Sequence, residues 1–116
     1  SGKVVRPAPT QIGSGKNRLA PLIAAPYFAV DMFEMKETQE LSTRDDSGKS
    51  SAQILVAVEG CGVVEAYGTE PVTLAKGDAV VIPASLEKFT VRPQWTLEFI
   101  KARVPGAALP EPETRM

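Results

Sequence analysis

Short apolar runs of strand-forming residues, separated by glycine and proline, recur along most of the chain. The segments are residues 27–35, 54–58, 63–67, 72–74, 79–82, 88–92 and 95–100. Several alternate apolar and polar side chains, as half-buried strands do, and none shows the 3.6-residue period of an amphipathic helix. The pattern predicts an all-β barrel or sandwich, and it excludes a parallel sheet built with intervening helices.

The alternation also predicts which side chains face the core. Phe89 and Val91 share one face of their segment, which we expect to point inward. In the next segment Trp95 is in phase with Leu97 and Phe99. We therefore expect Trp95 to lie in the core or against a neighbouring domain, rather than to stack on a sugar ring.

Two other segments are less regular. In residues 27–35, Phe28, Val30 and Met32 lie on one face and Asp31 on the other, with the imperfect alternation of a strand covered partly on both sides. Residues 54–58 are apolar throughout. A run of this length is too short for a typical helix and favours a buried strand.

Glycine and proline mark three predicted turns between these strands. They are Gly60-Cys61-Gly62, Lys76-Gly77-Asp78 and Pro93-Gln94. Glycine supplies the positive φ of a tight turn and aspartate tolerates it, so the second of these favours a hairpin over an anion-binding loop. Cys61 has no neighbouring cation in the sequence to lower its pKa, which favours a small turn residue over a reactive thiol.

The remaining segments show neither the alternation of a strand nor the 3.6-residue period of a helix. Residues 1–25 contain three prolines and predict an extended arm or linker ahead of a barrel at residues 26–104. Residues 38–51 are polar and include the turn-prone run Asp45-Asp46-Ser47-Gly48, which predicts a mobile loop. Residues 105–116 hold prolines among acidic residues and predict a flexible tail.

Length and charge limit the partners and the compartment. The 116 residues allow one small domain, whose stability we expect to depend on a partner surface. The chain has thirteen basic and fourteen acidic residues, and the basic residues form no block. We therefore expect neither a nucleic-acid nor an anionic-membrane partner. No apolar run reaches the ~18 residues of a membrane span, and no signal-peptide pattern opens the chain. The single cysteine cannot form an internal disulfide, which fits a reducing cytoplasm.

Two further features bear on function. The chain has no histidine, which removes the commonest metal ligand and the commonest acid–base catalyst at neutral pH. The chain also begins with Ser1-Gly2-Lys3 and not with methionine, so we expect a piece of a longer polypeptide.

The layout of residues 53–87 resembles the second half of a small cupin jelly-roll β-barrel. The resemblance is carried by Gly60-x-Gly62, by Lys76-Gly77-Asp78, and by Val81-Ile82-Pro83-Ala84 followed by an alternating strand. In working cupins the first motif brings two histidines and a glutamate to a metal ion, and the second motif adds a histidine.

The positions that match those ligands hold other residues. If Gly60 closes the first motif, Gln53 occupies the glutamate position and the two histidine positions fall within residues 46–49. In the second motif Gly77 and Pro83 match, whereas Lys88 occupies the histidine position. Oxygens from Asp46 and Gln53 would not hold zinc against water. We therefore expect neither a metal site nor a catalytic residue in this chain.

A more specific resemblance extends from about Lys3 to Pro105. The run Ala25-Pro26-Tyr27-Phe28-Ala29-Val30, the turn at residues 57–60, Leu74-Ala75-Lys76-Gly77-Asp78 and Ile82-Pro83-Ala84 are together similar to the C-terminal domain of class I mannose-6-phosphate isomerases. In that family a larger N-terminal cupin domain carries zinc, held by histidines, a glutamate and a glutamine. A proline-rich crossover strand then leads into a small, degenerate cupin.

The resemblance implies a cytoplasmic parent enzyme that interconverts mannose 6-phosphate and fructose 6-phosphate. This segment would be its inactive C-terminal domain without a cofactor of its own, and its partner would be the zinc-bearing N-terminal domain or a second copy. The alternative is a stand-alone degenerate cupin that binds a small sugar or acidic metabolite in its barrel mouth. Lys88 is the candidate ligand-binding residue for that alternative, against the simpler interpretation of a strand lysine with its ammonium in water.

Overall fold

The computed structural model describes residues 3–4, 10–24, 29–44, 48 and 50–103. Its strands are β1 (Lys3–Val4), β2 (Thr10–Ile12), β3 (Asn17–Ala24), β4 (Ala29–Met35), β5 (Gln39–Ser42), β6 (Gln53–Glu65), β7 (Val72–Ala75), β8 (Ala79–Ile82) and β9 (Lys88–Arg103). One 3₁₀ turn, Ala84–Leu86, is the helical element of these ranges. The prediction of an all-β fold is confirmed.

The strands pair antiparallel in one continuous sheet. Its order is β1-β3-β4-β9-β6-β7, with β2 on β3, β5 on β9 and β8 on β6. Strands β6 and β9 are the longest, at 13 and 16 residues, and they pair along most of their length. The first half of β9 lies between β5 and the second half of β6, and its second half lies between β4 and the first half of β6.

Strands β6 and β9 bend where the sequence predicts turns, so the turns predicted at residues 60–62 and at Pro93-Gln94 are wrong. The chain stays in the sheet through both sites. The register passes from Gly60 opposite Leu97 to Cys61 opposite Gln94, which leaves two residues of β9 unpaired. Such a bulge bends and twists a strand. Because the two bends face each other, both strands turn the corner together and their halves form two layers.

One apolar core fills the space between the layers. Its buried members are Phe33, Met35, Leu55, Ala57, Val64, Leu74, Ile82, Phe89, Val91, Leu97 and Phe99. The rings of Phe33 and Phe99 stack across neighbouring strands, with centroids 4.9 Å apart. The inward positions predicted for Phe89, Val91, Leu97 and Phe99 are confirmed.

Trp95, by contrast, is 87% exposed and lies outside the core. Its φ of +70° and the bulge break the alternation between this residue and Leu97. The prediction of a core position for Trp95 is therefore wrong for this chain by itself, while its alternative, contact with a neighbouring domain, stays a prediction.

The sequence predicts that β4 is covered partly on both sides, and the structure shows which of its faces points inward. Phe33 and Met35 are buried, and Asp31 is in phase with them, whereas Val30 and Met32 point to the outer side and are half-buried. In residues 54–58 the strand is confirmed but alternates, with Ile54 38% exposed. Apolar side chains thus lie on both sides of this layer. The alternation of apolar and polar residues in the sequence therefore does not show which face of these strands points inward.

The polar segments contribute more of the sheet than the sequence predicts. Residues 39–42 of the predicted mobile loop form β5, paired with residues 88–91 of β9. Within the predicted arm, β2 and β3 join the sheet next to β4, and Leu19 packs against the core. The predicted tail at residues 105–116 and the run at residues 45–47 lie outside the described residues.

The Asn17 side chain links β3 by hydrogen bonds to the turn between β4 and β5. Its amide Nδ2 donates to the carbonyl of Glu37 and to Gln39 Oε1, and its Oδ1 accepts from the backbone N–H groups of Lys36 and Glu37. The side chain is completely buried, and these bonds satisfy it.

Candidate functional site

Gln53, at the glutamate position of the first cupin motif, opens β6 at one end of the barrel. Its side chain is 1% exposed and points into the interior, in phase with Leu55. The amide Nε2 donates to the carbonyl of Ser42 at 3.3 Å, while Oε1 has no hydrogen-bond partner among the described groups. A buried acceptor without a donor is uncommon in folded proteins.

Lys88, at the histidine position of the second motif, begins β9 directly opposite Ser42. The structure therefore brings two predicted ligand positions, Gln53 and Lys88, to the same end of the barrel on either side of Ser42. Asp46, the other candidate oxygen ligand, lies outside the described residues. Lys88 is exposed, in keeping with a strand lysine whose ammonium lies in water.

The surroundings of Lys88 are acidic. It lines a surface depression of about 380 Å³ together with the carboxylate-bearing side chains Glu40, Glu65 and Glu87. Two of these carboxylates have an arginine beside them: Glu87 pairs with Arg44 at 3.0 Å and Glu65 with Arg92 at 2.6 Å.

A second lysine, Lys101, lies inside the same end of the barrel. It is in phase with Leu97 and Phe99 on β9 and is 9% exposed. Its Nζ lies over the ring of Phe33, 5.1 Å from the centroid, a cation–π arrangement. None of the hydrogen bonds or ion pairs between described residues involves this ammonium.

Charged neighbours accompany Lys101. Asp31 on β4 lies directly opposite it, and Arg103 is the next residue of β9 on the same side. Gln53 is paired with Arg103 across β6 and β9. We call Asp31, Gln53, Lys101 and Arg103 the mouth cluster.

Burial lowers the pKa of Lys101 to about 8. Removal from water disfavours the charged ammonium, the Asp31 carboxylate acts in the opposite direction, and the Arg103 guanidinium adds to the lowering. At neutral pH the barrel interior therefore holds a cation whose charge is poorly compensated.

The sequence contains a signal for Lys101 that lies outside the cupin motifs. The alternation that places Leu97 and Phe99 inward continues by two residues to Lys101. The proximity of Asp31 and Gln53 had no comparable signal, because it depends on the register of β4 and β6 against β9.

The hairpin at Lys76-Gly77-Asp78 has the predicted turn geometry. Gly77 has a φ of +91°, and the backbone N–H of Asp78 donates to the carbonyl of Ala75. The Asp78 carboxylate accepts from the Ala75 N–H at 3.0 Å and closes the turn on itself. In the part of the chain that the structure describes, no three histidine, cysteine, aspartate or glutamate side chains form a group able to hold a metal ion.

Comparison with protein families gives a match over most of the chain. The model for the cupin domain of mannose-6-phosphate isomerase matches residues 20–102, well over half of the chain. The chain belongs to that family. Its matched segment runs from within β3 almost to the end of β9, so it includes the two bent strands and most of the mouth cluster.

Solved structures with the same fold include several cupins. An RmlC-like cupin from Shewanella frigidimarina superposes with a TM-score of 0.68 and 17% identity, over 87% of this chain and 86% of that one. The EutQ protein of Clostridium difficile gives 0.63 and 20% identity, over 77% of this chain and 62% of that one. These likenesses confirm the predicted cupin-like fold.

The mannose 6-phosphate isomerase of Bacillus subtilis is also among the similar structures. It superposes with a TM-score of 0.64 and 18% identity. The match covers 84% of this chain but 29% of the isomerase, so the chain corresponds in length to a minor part of that enzyme. No curated protein sequence matches the chain. Among the described residues, no helix is long and apolar enough to cross a bilayer.

Proposed function

We propose that this chain is the C-terminal, non-catalytic domain of a class I mannose-6-phosphate isomerase and that it supports the zinc-bearing N-terminal domain of the same polypeptide. The observation that carries the proposal is an apolar outer face on the layer formed by β3, β4, β8 and the adjoining halves of β6 and β9. This face is the surface that would pack against the catalytic domain.

The face consists of two rows of apolar side chains that follow the strand register across all five strands. The first row is Ile23, Val30, Ala102, Ile54 and Val81, and the second is Ala20, Met32, Ile100, Val56 and Ala79. Ile54 and Val81 are 38% and 59% exposed. An apolar patch of this kind on a small domain indicates a contact surface.

A charged row borders the apolar face on one side. It consists of Arg18, Glu34, Glu98 and Glu59, paired in register across β3, β4, β9 and β6. An apolar centre with a polar border is the usual anatomy of a protein–protein contact. The border also limits the contact to one end of the layer.

The filled interior supports a packing role rather than catalysis. The rings of Phe33, Phe89 and Phe99 occupy the space between the layers, and all three are at most 1% exposed. At the glutamate position, Gln53 is buried and its amide is bonded to the Ser42 carbonyl. The family match and the length ratio to the Bacillus subtilis enzyme support the assignment of the parent.

Placing a charge on the apolar face should weaken its contacts. We expect the isolated chain to self-associate through this face at high concentration, and the Val81→Glu substitution to weaken that association by about tenfold or more, because an unpaired carboxylate would be buried in the contact. Sedimentation velocity over a concentration series measures the effect. Thr73→Glu is the control, since Thr73 is exposed on β7 and does not line the depression that Val81 shares with Val72.

Two outcomes would contradict this support role. One is a wild-type chain that stays monomeric at high concentration and binds no hydrophobic dye. The other concerns the gene: a start codon immediately upstream of Lys3 would remove the N-terminal domain, whereas an open frame encoding a histidine-bearing zinc domain is the expected result.

A further inference from the structure

Strand β8 forms one margin of the layer that carries the apolar outer face. It pairs with β6 on one side, and no other described strand pairs with it on the opposite side. The Ala57 N–H donates to the Asp78 carbonyl at 3.0 Å, in the register of β8 on β6. Because antiparallel strands alternate between bonded and non-bonded pairs, Val80 bonds to β6, whereas the N–H and C=O groups of Ala79 and Val81 point away from it. These backbone groups form a free strand edge.

A gap between β7 and β8 opens beside this edge. Both strands pair with β6, β7 on its second half and β8 on its first, so they diverge from the hairpin that joins them. The depression between them has a volume of about 260 Å³. Its apolar lining includes Val64, Val72, Val80, Val81, Ile82 and Leu86. Val72 is in phase with the buried Leu74 on β7, yet it is 45% exposed, so an inward-facing side chain lacks a cover.

The edge of β8 lacks the features that usually protect an edge strand. Its residues, Ala79-Val80-Val81-Ile82, include neither a charge nor a proline. On β7, by contrast, the Ala75 N–H donates to the Asp78 carboxylate, which closes that strand near the hairpin. An apolar edge with open N–H and C=O groups is a template for a further strand. Strand β8 therefore offers such a template.

The edge and the gap together favour an extended protein segment over a small molecule. Strand addition uses main-chain hydrogen bonds for affinity and side-chain pockets for specificity. Here the free edge offers the hydrogen bonds, and the gap beside it is an apolar pocket. A small apolar ligand would occupy the gap but leave the backbone groups of Ala79 and Val81 bonded to water alone.

Val81 connects this site to the proposed docking face. It is the last member of the first apolar row on the outer side of the sheet, and it also lines the gap. A partner that covers the face therefore reaches the edge of β8 without a break in the contact. This continuity argues for one partner on both surfaces.

We propose that an extended, apolar segment of the zinc-bearing N-terminal domain adds to the free edge of β8 as a further strand. Its backbone bonds to Ala79 and Val81, and one of its apolar side chains fills the gap beside Val72. The inference rests on the proposed function, because it requires the N-terminal domain as the partner. It adds to that function the mode by which the partner binds.

Hydrogen exchange in the full-length polypeptide and in the isolated chain tests the strand addition. We expect the backbone amides of Ala79 and Val81 to exchange at least about a hundredfold more slowly in the full-length polypeptide, because the added strand takes up both N–H groups. The oxidation rate of Met32 by hydrogen peroxide reports separately on the outer face, where this side chain is half-buried. Slower oxidation in the full-length polypeptide is the result expected from the packing role alone.

Val81→Pro in the full-length polypeptide removes an N–H group that the added strand requires. Proline is tolerated at an edge where the N–H points away from the sheet, so β8 should keep its pairing with β6. We expect the exchange rate of the Ala79 amide to return to within about tenfold of its value in the isolated chain, while Met32 stays protected. Val81→Ile is the matched control, since it keeps the N–H group and an apolar β-branched side chain and should leave both measurements unchanged.

Three results would overturn the inference. Protection of Met32 in the full-length polypeptide without slower exchange at Ala79 and Val81 would leave the packing role standing and remove the strand addition. Concentration-dependent protection of the same amides in the isolated chain would assign the edge to a second copy. Fast oxidation together with fast exchange in the full-length polypeptide would remove the packing role as well. If Val81→Pro does not fold by circular dichroism, the comparison of the wild-type polypeptide with the isolated chain decides.

Discussion

Replacement of Gly60 by alanine is expected to destabilise this barrel by about 3 kcal/mol or more. Gly60 has a φ of +79°, a conformation that costs a non-glycine residue about 1–3 kcal/mol. A Cβ atom at this position would also lie 2.1 Å from the carbonyl oxygen of Thr96 on the facing strand. Because that atom belongs to the backbone of the bend, it cannot move away without unpairing β6 and β9.

Gly68→Ala is the control for Gly60→Ala. Gly68 has a similar φ of +83°, and no heavy atom lies within 4 Å of its added Cβ. We expect a loss of about 1–2 kcal/mol from backbone strain alone. Urea denaturation followed by circular dichroism measures both variants. Equal losses in the two would show that the close approach of the bent strands contributes nothing to the requirement for glycine.

Replacement of Lys101 by methionine is expected to stabilise the chain at pH 7 by up to about 3 kcal/mol. Burial lowers the pKa of the folded-state ammonium from 10.5 to about 8, and each unit corresponds to about 1.4 kcal/mol. Methionine fills a similar volume without a charge and can pack on the Phe33 ring. The lowering is the net of burial and the opposing attraction of Asp31, so the figure already includes the loss of that attraction.

The gain from Lys101→Met should depend on pH in a defined direction. Below pH 8 the wild-type lysine is charged in both the folded and the unfolded state, so the full burial cost applies. Between pH 8 and 10.5 the unfolded chain binds the extra proton, and wild-type stability therefore rises with pH relative to the variant.

Measurement of unfolding midpoints from pH 7 to 10.5 tests this dependence. Lys88→Met is the comparison, because Lys88 is exposed and its loss should change stability by no more than about 0.5 kcal/mol at any pH. A Lys101→Met variant that is less stable than the wild type throughout the range would show that the ammonium is well compensated.

Much of the fold was accessible from the sequence. Apolar alternation located most of the strands from residue 29 onward, and it placed Phe89, Val91, Leu97 and Phe99 inside. Strand β5 was missed because its residues are mostly polar and its inward Leu41 gives too short a pattern. Its place in the sheet comes from pairing with β9, not from local preference.

Short-range patterns failed at the bends. A glycine-x-glycine run and a proline both predict a reversal of the chain, and the same residues equally allow a strand to bulge and continue. The choice between them depends on the partner strand. At Trp95 the bulge changed the phase of the alternation, so a residue predicted for the core is on the surface.

By itself, the sequence determined the all-β class, the cupin-like layout and the loss of the usual metal ligands. Those conclusions depend on the chemistry of individual side chains and on the alternation of apolar and polar residues within short segments. Both can be taken directly from the sequence. The tertiary structure alone decided that β6 and β9 bend together, that apolar rows cover one outer face, and that Lys101 meets Asp31, Arg103 and Gln53. These features arise from register between strands distant in sequence, and a local pattern does not encode that register.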